Sequence, residues 1–195
     1  MHTVRIVVGS SRPGRASIVI GNWIAAIARE MATRAGDIDL VVTDLKELDL
    51  PFFDEEVPPI FGRYAHEHTK AWAATVAATD AFVFIAPEYN HSYSAILKNA
   101  IDFLNREWYH KPAAFVSYGG NAGGTRATEH LRAITGELRM YDLGDMVLIP
   151  YYWDYLNEGV FAPPERIEES ARAMLDQLFH WTRVMAEGRR KLNER

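Results

Sequence analysis

Short runs of branched apolar residues alternate along this chain with longer stretches of helical period, and no other feature restricts its fold as much. Val4 to Gly9, Ile38 to Leu45, "AFVFIAP" (81–87), "AAFVSY" (113–118) and "DMVLIP" (145–150) read as five strands. Between them, Ser17 to Ala35 carries Ile20, Trp23, Ile24, Ile27, Ala28 and Met31 on one face and stops at Gly36-Asp37. Helices are also expected over Ala65 to Thr79, after a capping Ser94 with Leu97, Ala100, Ile101 and Leu104 on one face, and over Gly124 to Arg139. A last helix starts at Pro163-Pro164, with Glu165, Glu168 and Glu169 at its positive end, and buries Ile167, Ala171, Met174, Leu178, Trp181 and Met185. Strand and helix in repeated succession predict an α/β fold, a parallel sheet covered by crossover helices. One long piece, "KELDLPFFDEEVPPIFGRY" (46–64), is too rich in proline and acids for regular structure, yet its Phe52, Phe53, Ile60, Phe61 and Tyr64 must pack against something.

Composition removes several kinds of chemistry. With 195 residues, 48% of them hydrophobic, the chain suits one buried core, and a single domain over 1–195 is expected. The absence of cysteine excludes disulfides, thiolate zinc and a cysteine nucleophile, and fits a reducing cytoplasm. A net charge of −5 with scattered basic residues argues against a nucleic-acid partner. The one basic cluster, Arg189-Arg190-Lys191, reads as cations at a helix C-terminus. No apolar run approaches a membrane-spanning length, so a soluble cytoplasmic protein without a membrane partner is expected. His66 and His68 flank Glu67, but residues two apart on a helix do not share a face, so no metal site is expected.

In a parallel sheet of this kind the ligand lies beyond the carboxyl ends of the strands, at the switch point. The first such loop, Gly9-Ser10-Ser11-Arg12-Pro13-Gly14-Arg15-Ala16-Ser17, aims hydroxyls and N–H groups at a helix start, where the macrodipole favours an anion. It has the glycine spacing of a P-loop, but Arg15 and Ala16 stand where lysine and a magnesium-binding hydroxyl are required, and G-x-G-x-x-G is absent from the chain. A terminal phosphate such as that of FMN remains. The plain alternative is a turn whose serines cap and whose arginines are solvated. After the third strand, Glu88, Tyr89 and Asn90 present an acid, a ring and an amide. After the fourth, Gly119, Gly120, Gly123 and Gly124 allow close approach to a flat ligand, or simply make a flexible turn.

"GSSRPGR", "PEYNHSYSAILKNAIDFL" and "SYGGNAGGTRA", in this order over roughly residues 4 to 139, together resemble the NADPH-dependent FMN reductase family of flavodoxin-like proteins. The resemblance implies a three-layer sandwich with five parallel strands in the order 2-1-3-4-5. It implies FMN as cofactor, its phosphate held by Ser10, Arg12, Arg15, Ser17 and the Ile18 backbone. Pro87, Glu88, Tyr89 and Asn90 then line the flavin, and Ser117, Tyr118, Gly119 and Gly120 lie near the ring.

The resulting reading is an FMN-dependent oxidoreductase with NADPH or NADH as co-substrate. Hydride passes from nicotinamide to flavin and then, by a ping-pong sequence, to a small-molecule acceptor such as a quinone, flavin, azo compound or metal oxyanion. The cofactor carries the chemistry, so no side chain is assigned a catalytic acid or base role. A flavodoxin-like one-electron carrier and a non-catalytic flavin-binding module are the alternatives. His91 is either a substrate contact or an ordinary loop histidine. Trp108, Tyr109, Tyr151, Tyr152, Trp153 and Tyr155 either roof a pocket or bury a subunit contact. The aromatic arm Leu50 to Tyr64 and the helix Ala95 to Asn105 point to a homodimer or homotetramer, with the flavin site near the subunit boundary.

Overall fold

A computed structural model describes residues 1 to 193, so residues 194 and 195 of the expected domain range lie outside the described residues. In chain order the elements are β1 (His2–Val8), α1 (Ser17–Ala35), β2 (Ile38–Asp44), the one-turn α2 (Leu45–Leu48), α3 (Glu67–Ala77), β3 (Ala81–Pro87) and α4 (Ala95–Asp102). There follow β4 (Pro112–Gly119), α5 (Thr125–Glu137), β5 (Tyr141–Asp142), β6 (Val147–Pro150), a small hairpin of β7 (Leu156–Asn157) and β8 (Val160–Phe161), and α6 (Glu165–Asn193).

The sheet runs β2-β1-β3-β4, with β5 and β6 both beyond β4, and every pair in it is parallel. The flavodoxin-like order is therefore present, but the fifth position is split. Tyr141 and Asp142 pair with Pro112 and Ala113, and Val147 to Pro150 pair with Val116 to Gly119. Between the two pieces the chain turns in to bury Leu143, whose N–H donates to the Ala113 carbonyl at 2.9 Å. Arg132 holds the Leu143 carbonyl at 2.7 Å, so the run Leu143 to Met146 is anchored without being strand.

Strand side chains alternate between two apolar layers, because successive residues of a strand face opposite ways. Val4, Ile6, Val83 and Val116 pack under α1 and α6, against Ile20, Ile24, Ala171 and Leu178. Val7, Phe82, Phe84 and Phe115 face α3, α4 and α5, meeting Trp72, Leu97, Ile101 and Leu131. Trp108 belongs to this second layer and not to a pocket roof or subunit contact: it is 1% exposed and its ring lies 4.9 Å from Phe82. Its indole N–H donates to the Ile101 carbonyl at 3.2 Å, while that of Trp72 donates to Ala100 at 2.8 Å, so both polar edges are answered inside. Trp181 and Met185, expected in the core, are half-buried near the end of α6.

The arm from Leu50 to Tyr64 lies along α4. Asn99 grips it from both sides, donating to the Pro51 carbonyl at 2.7 Å and accepting from Phe53 N at 2.9 Å. Phe53 reaches Phe103 at 5.3 Å between ring centres. Phe52, Ile60 and Phe61 nevertheless stand 85%, 51% and 57% exposed, so within one chain the packing expected of them is not found.

Candidate functional site

The loops after β1, β3 and β4 meet at one edge of the sheet. Gly9 closes β1 against β3, its N–H donating to the Ile85 carbonyl at 3.0 Å. A Cβ here would stand 2.7 Å from that carbonyl oxygen and 3.1 Å from Leu97, which is why glycine occupies the position. Ser94 sits at the expected cap position of α4, but its hydroxyl donates to the Gly9 carbonyl and makes no cap bond. It holds the first loop to the third.

Beyond Gly9, the buried Ser10 hydroxyl lies 2.9 Å from the Tyr89 phenol and accepts weakly from Arg12 N at 3.4 Å. The first turn of α1 has no acidic residue and no side-chain cap, so its N–H groups point unanswered into the loop. The Ser17 hydroxyl is buried there without a hydrogen-bond partner of sound geometry. Arg12 is exposed at the mouth, and its charge is favoured first by the Tyr89 phenol and further by Tyr152 and Tyr118. Arg15 is placed differently. Its guanidinium pairs with the Asp44 carboxylate at the end of β2, the same carboxylate that caps α2 by accepting from Lys46 N at 3.0 Å. Only its Nε remains buried and unpartnered.

In the loop after β3 the acid is consumed internally. Glu88, with its side chain 7% exposed, accepts from Arg126 Nε at 2.6 Å and from Arg126 N at 3.2 Å in the first turn of α5. This clamp ties the β3 loop to the β4 loop, as does the bond from Glu88 N to the Tyr118 carbonyl at 2.9 Å. Tyr89 and Ser92 exchange two backbone bonds of 2.7 and 3.0 Å around Asn90 and His91, whose φ values of 48° and 69° make a two-residue left-handed turn. Asn90 suits that backbone by type, and His91 stands exposed at the tip.

Near the end of β4 the buried Ser117 hydroxyl donates to the Ala86 carbonyl at 2.7 Å, so it braces β4 on β3. A Cβ on Gly124, at φ 92°, would fall 2.1 Å from that hydroxyl oxygen. Gly119 is buried and Gly120 exposed, and together they form a bare shelf. Beside the shelf, Tyr118 meets Tyr152 edge-on at 4.9 Å, and Tyr152 meets Trp153 at 5.2 Å. Burial lifts the Tyr118 phenol above its usual pKa, and the nearby Ser17 hydroxyl opposes the rise. Tyr151, at φ 47°, is held by its N–H to the Gly120 carbonyl at 3.2 Å.

Ser10, Arg12, Ser17, Tyr89 and Tyr118 therefore converge, with Ile18, Asn90, Gly119 and Gly120 on their border and Pro87 buried beneath. Arg15, Glu88 and Ser117 are turned to internal partners. Sequence reasoning missed Arg126 and Asp44. The available signal was Glu88 itself, a carboxylate at the end of a buried strand, which requires a cation nearby. His66 also departs from expectation. It precedes α3 rather than lying on it, and its ring stacks on His68 at 5.2 Å, while His68 reaches the arm's Asp54 at 3.0 Å.

An N-terminal helix turn without a competing acid, an orphaned buried hydroxyl and a free arginine suit a phosphate dianion, and a glycine shelf suits a flat ring. Both parts of FMN are thus provided for by residues present. The family model described as NADPH-dependent FMN reductase matches residues 2–154. The chain is 39% identical over 162 residues to the NAD(P)H-dependent FMN reductase C4B3.06c of Schizosaccharomyces pombe, covering 82% of this chain and 78% of that one. It is 36% identical over 107 residues to the NADPH:quinone oxidoreductase of Arabidopsis thaliana, covering 50% and 54%. Among solved structures, the flavoenzyme NAD(P)H:(acceptor) oxidoreductase FerB of Paracoccus denitrificans shares the fold with TM-score 0.71 and 23% identity, over 95% of this chain and 99% of that one.

The clamp gives a direct expectation. Arg126→Ala leaves the Glu88 carboxylate buried without its main partner and is expected to lower stability in urea unfolding by about 1–3 kcal/mol, whereas Glu88→Gln with Arg126→Met restores part of the loss. An Arg126→Ala protein as stable as the parent would show that the clamp does not hold the two loops.

Proposed function

Starting from a chain that belongs to the NADPH-dependent FMN reductase family, an oxidoreductase family using FMN with NAD(P)H, we propose how its own residues divide the work. Ser10, Arg12, Ser17 and the Ile18 backbone receive the phosphate. Arg15 braces the loop against Asp44 and offers only its remaining donors. Pro87, Glu88, Tyr89 and Asn90 border one side of the ring, and Ser117, Tyr118, Gly119 and Gly120 the other. The observation that carries this reading is the uncapped start of α1, with the orphaned Ser17 hydroxyl beneath it and Arg12 at its mouth.

Bound FMN supplies a two-electron carrier between reduced nicotinamide and the second substrate. The chain's contribution is positional. The Glu88–Arg126 clamp ties the two loops together, and the side-chain-free Gly119–Gly120 turn would leave room beside bound FMN for donor and acceptor in turn. The acceptor is a quinone, free flavin, azo compound or metal oxyanion, and the half-exposed Tyr151 and Trp153 flank its approach. We assign residues 1–195 to one domain of a cytoplasmic enzyme, in keeping with a chain free of cysteine.

The active unit is proposed to be at least a homodimer. Phe52, Ile60 and Phe61 are large apolar side chains of one arm that stay 85%, 51% and 57% exposed among the described residues. A groove of about 360 Å³ lined by Leu50, Pro51, Phe52, Ile96 and Asn99 also includes Ser11, so a second copy seated there borders the phosphate loop.

Three measurements test these assignments. Arg12→Ala is expected to weaken FMN by roughly 1.5–3 kcal/mol more than riboflavin, because only FMN carries the dianion, with a smaller difference for Arg15→Ala; equal losses for both ligands would refute the phosphate role. Initial rates at several fixed acceptor concentrations are expected to give parallel double-reciprocal lines, and intersecting lines would require both substrates bound together. Light scattering at assay concentration is expected to give at least twice the 22.1 kDa chain mass, and a fully active single chain would rule the dimer out.

A further inference from the structure

At the other end of β4, about 25 Å from Gly119 by strand length, lies a cleft of about 520 Å³ with cationic walls. Lys111, immediately before β4, is 5% exposed. Its ammonium donates to the Val76 carbonyl at 2.6 Å and the Ala77 carbonyl at 3.1 Å, at the end of α3, leaving one of its three donors uncommitted. Arg189 of α6 enters from the other wall. It donates to the His110 carbonyl at 2.9 Å and pairs with Asp80. Behind them Arg5 is buried, its guanidinium donating to the Thr79 and Thr43 hydroxyls at 2.9 and 2.6 Å and, among the described residues, to no carboxylate. Arg106 stands exposed on the rim with no side-chain partner among the described residues.

Among the described residues, the anions of the cleft are fewer than its cations. Asp80 already serves Arg189, accepts from Thr3 N at 3.0 Å and faces His2 at 3.8 Å. Glu107 lines the cleft, but its carboxylate is taken by the Tyr64 hydroxyl, both oxygens at 2.9 Å, and by Asn105 N at 3.2 Å. Among the described residues, Lys111, Arg189, Arg5 and Arg106 thus face two carboxylates, Asp80 and Glu107, in a place where an uncompensated charge is expensive. Capping of α3 answers part of the Lys111 charge and does nothing for Arg106.

We propose that this cleft is a binding site for a divalent oxyanion, a free one or the phosphoryl group of a metabolite, held by Lys111 and Arg106 with Arg189 behind them. The apolar edge of the cleft, Tyr109 and Leu192, leaves room for an organic body attached to the group. Nothing in the site touches the three flavin loops, so it stands or falls independently of the flavin assignment.

The Lys111 ammonium makes the site sensitive to alkali. Burial first, then Arg189 and Arg5, push its pKa down to about 8, against Asp80 and Glu107, which oppose the fall. An anion favours the protonated form, so binding is strong below that value and fades above it, with sulfate as a probe that does not itself titrate in this range.

The test uses FMN-saturated protein, in which the α1 phosphate loop is filled, and equilibrium dialysis of labelled sulfate at fixed ionic strength in chloride. One saturable sulfate per chain is expected at pH 7, weakened about tenfold at pH 9, one unit above the Lys111 value. Arg106→Ala, an exposed change, is expected to weaken sulfate at least fivefold, by roughly the loss of a charge-assisted contact, and Lys111→Met to abolish binding. Phenyl phosphate binding more tightly than sulfate identifies the phosphoryl group of a metabolite as the ligand, and the reverse order identifies a free oxyanion. No saturable binding, or binding unchanged by Arg106→Ala and by pH, overturns the proposal even if Lys111→Met fails to fold.

Discussion

Three strands end side by side, and every property of the candidate site depends on how tightly those ends are locked. Gly9 N–H bonds Ile85, the Ser117 hydroxyl bonds Ala86, and Glu88 N–H bonds the Tyr118 carbonyl. Each is a short link between neighbouring strand ends, and the first two leave no room for a side chain at the position beside them. Glycine at 9 and at 124 meets that demand, since a side chain at either would collide with backbone or with Ser117. The Glu88–Arg126 pair then fastens the same two loops from the outside. The shelf stays open because the groups around it already have partners elsewhere.

Against that rigid frame, the groups left without partners stand out. The start of α1 has N–H groups without a side-chain cap and a buried Ser17 hydroxyl with only the Tyr118 phenol near it among the described residues, and Arg12 stands by them without an acid. Arg15, three residues away, shows the opposite outcome, because the end of β2 brings Asp44 to it. Two arginines in one loop thus acquire different surroundings from their neighbours alone: one stands exposed beside the Tyr89 phenol, the other fastens the loop to the sheet. A similar division operates at the far pole, where Asp80 pairs with Arg189 while, among the described residues, Lys111 bonds only carbonyls and the Arg106 side chain has no hydrogen-bond partner.

The aromatic residues divide in the same manner. Phe82, Phe84, Phe115, Trp72 and Trp108 make one continuous layer beneath α3, α4 and α5, where their area stabilises the sheet. Phe52, Ile60 and Phe61 are carried on an arm anchored by Asn99 and are left facing outward. Tyr118, Tyr152 and Trp153 form a third group, stepping from the core to the rim of the site.

Most of the frame was legible in the residues. The periods of the apolar runs are local properties, so the strands and helices, and through them the parallel sheet, follow from neighbours along the chain. The three loop motifs were legible too, because glycine, serine and arginine at a strand-to-helix turn have few uses. Tertiary structure alone decided the rest. Whether Arg15 or Arg12 stays free depends on Asp44, 29 residues beyond Arg15, and whether Glu88 faces a ligand or a clamp depends on Arg126, 38 residues on. Trp108 in the core, the split fifth strand and the cations gathered around Lys111 have the same origin. Each is a choice of partner between segments remote in sequence, and the pairwise energies that make such choices arise only once the fold has brought the segments within a few ångströms.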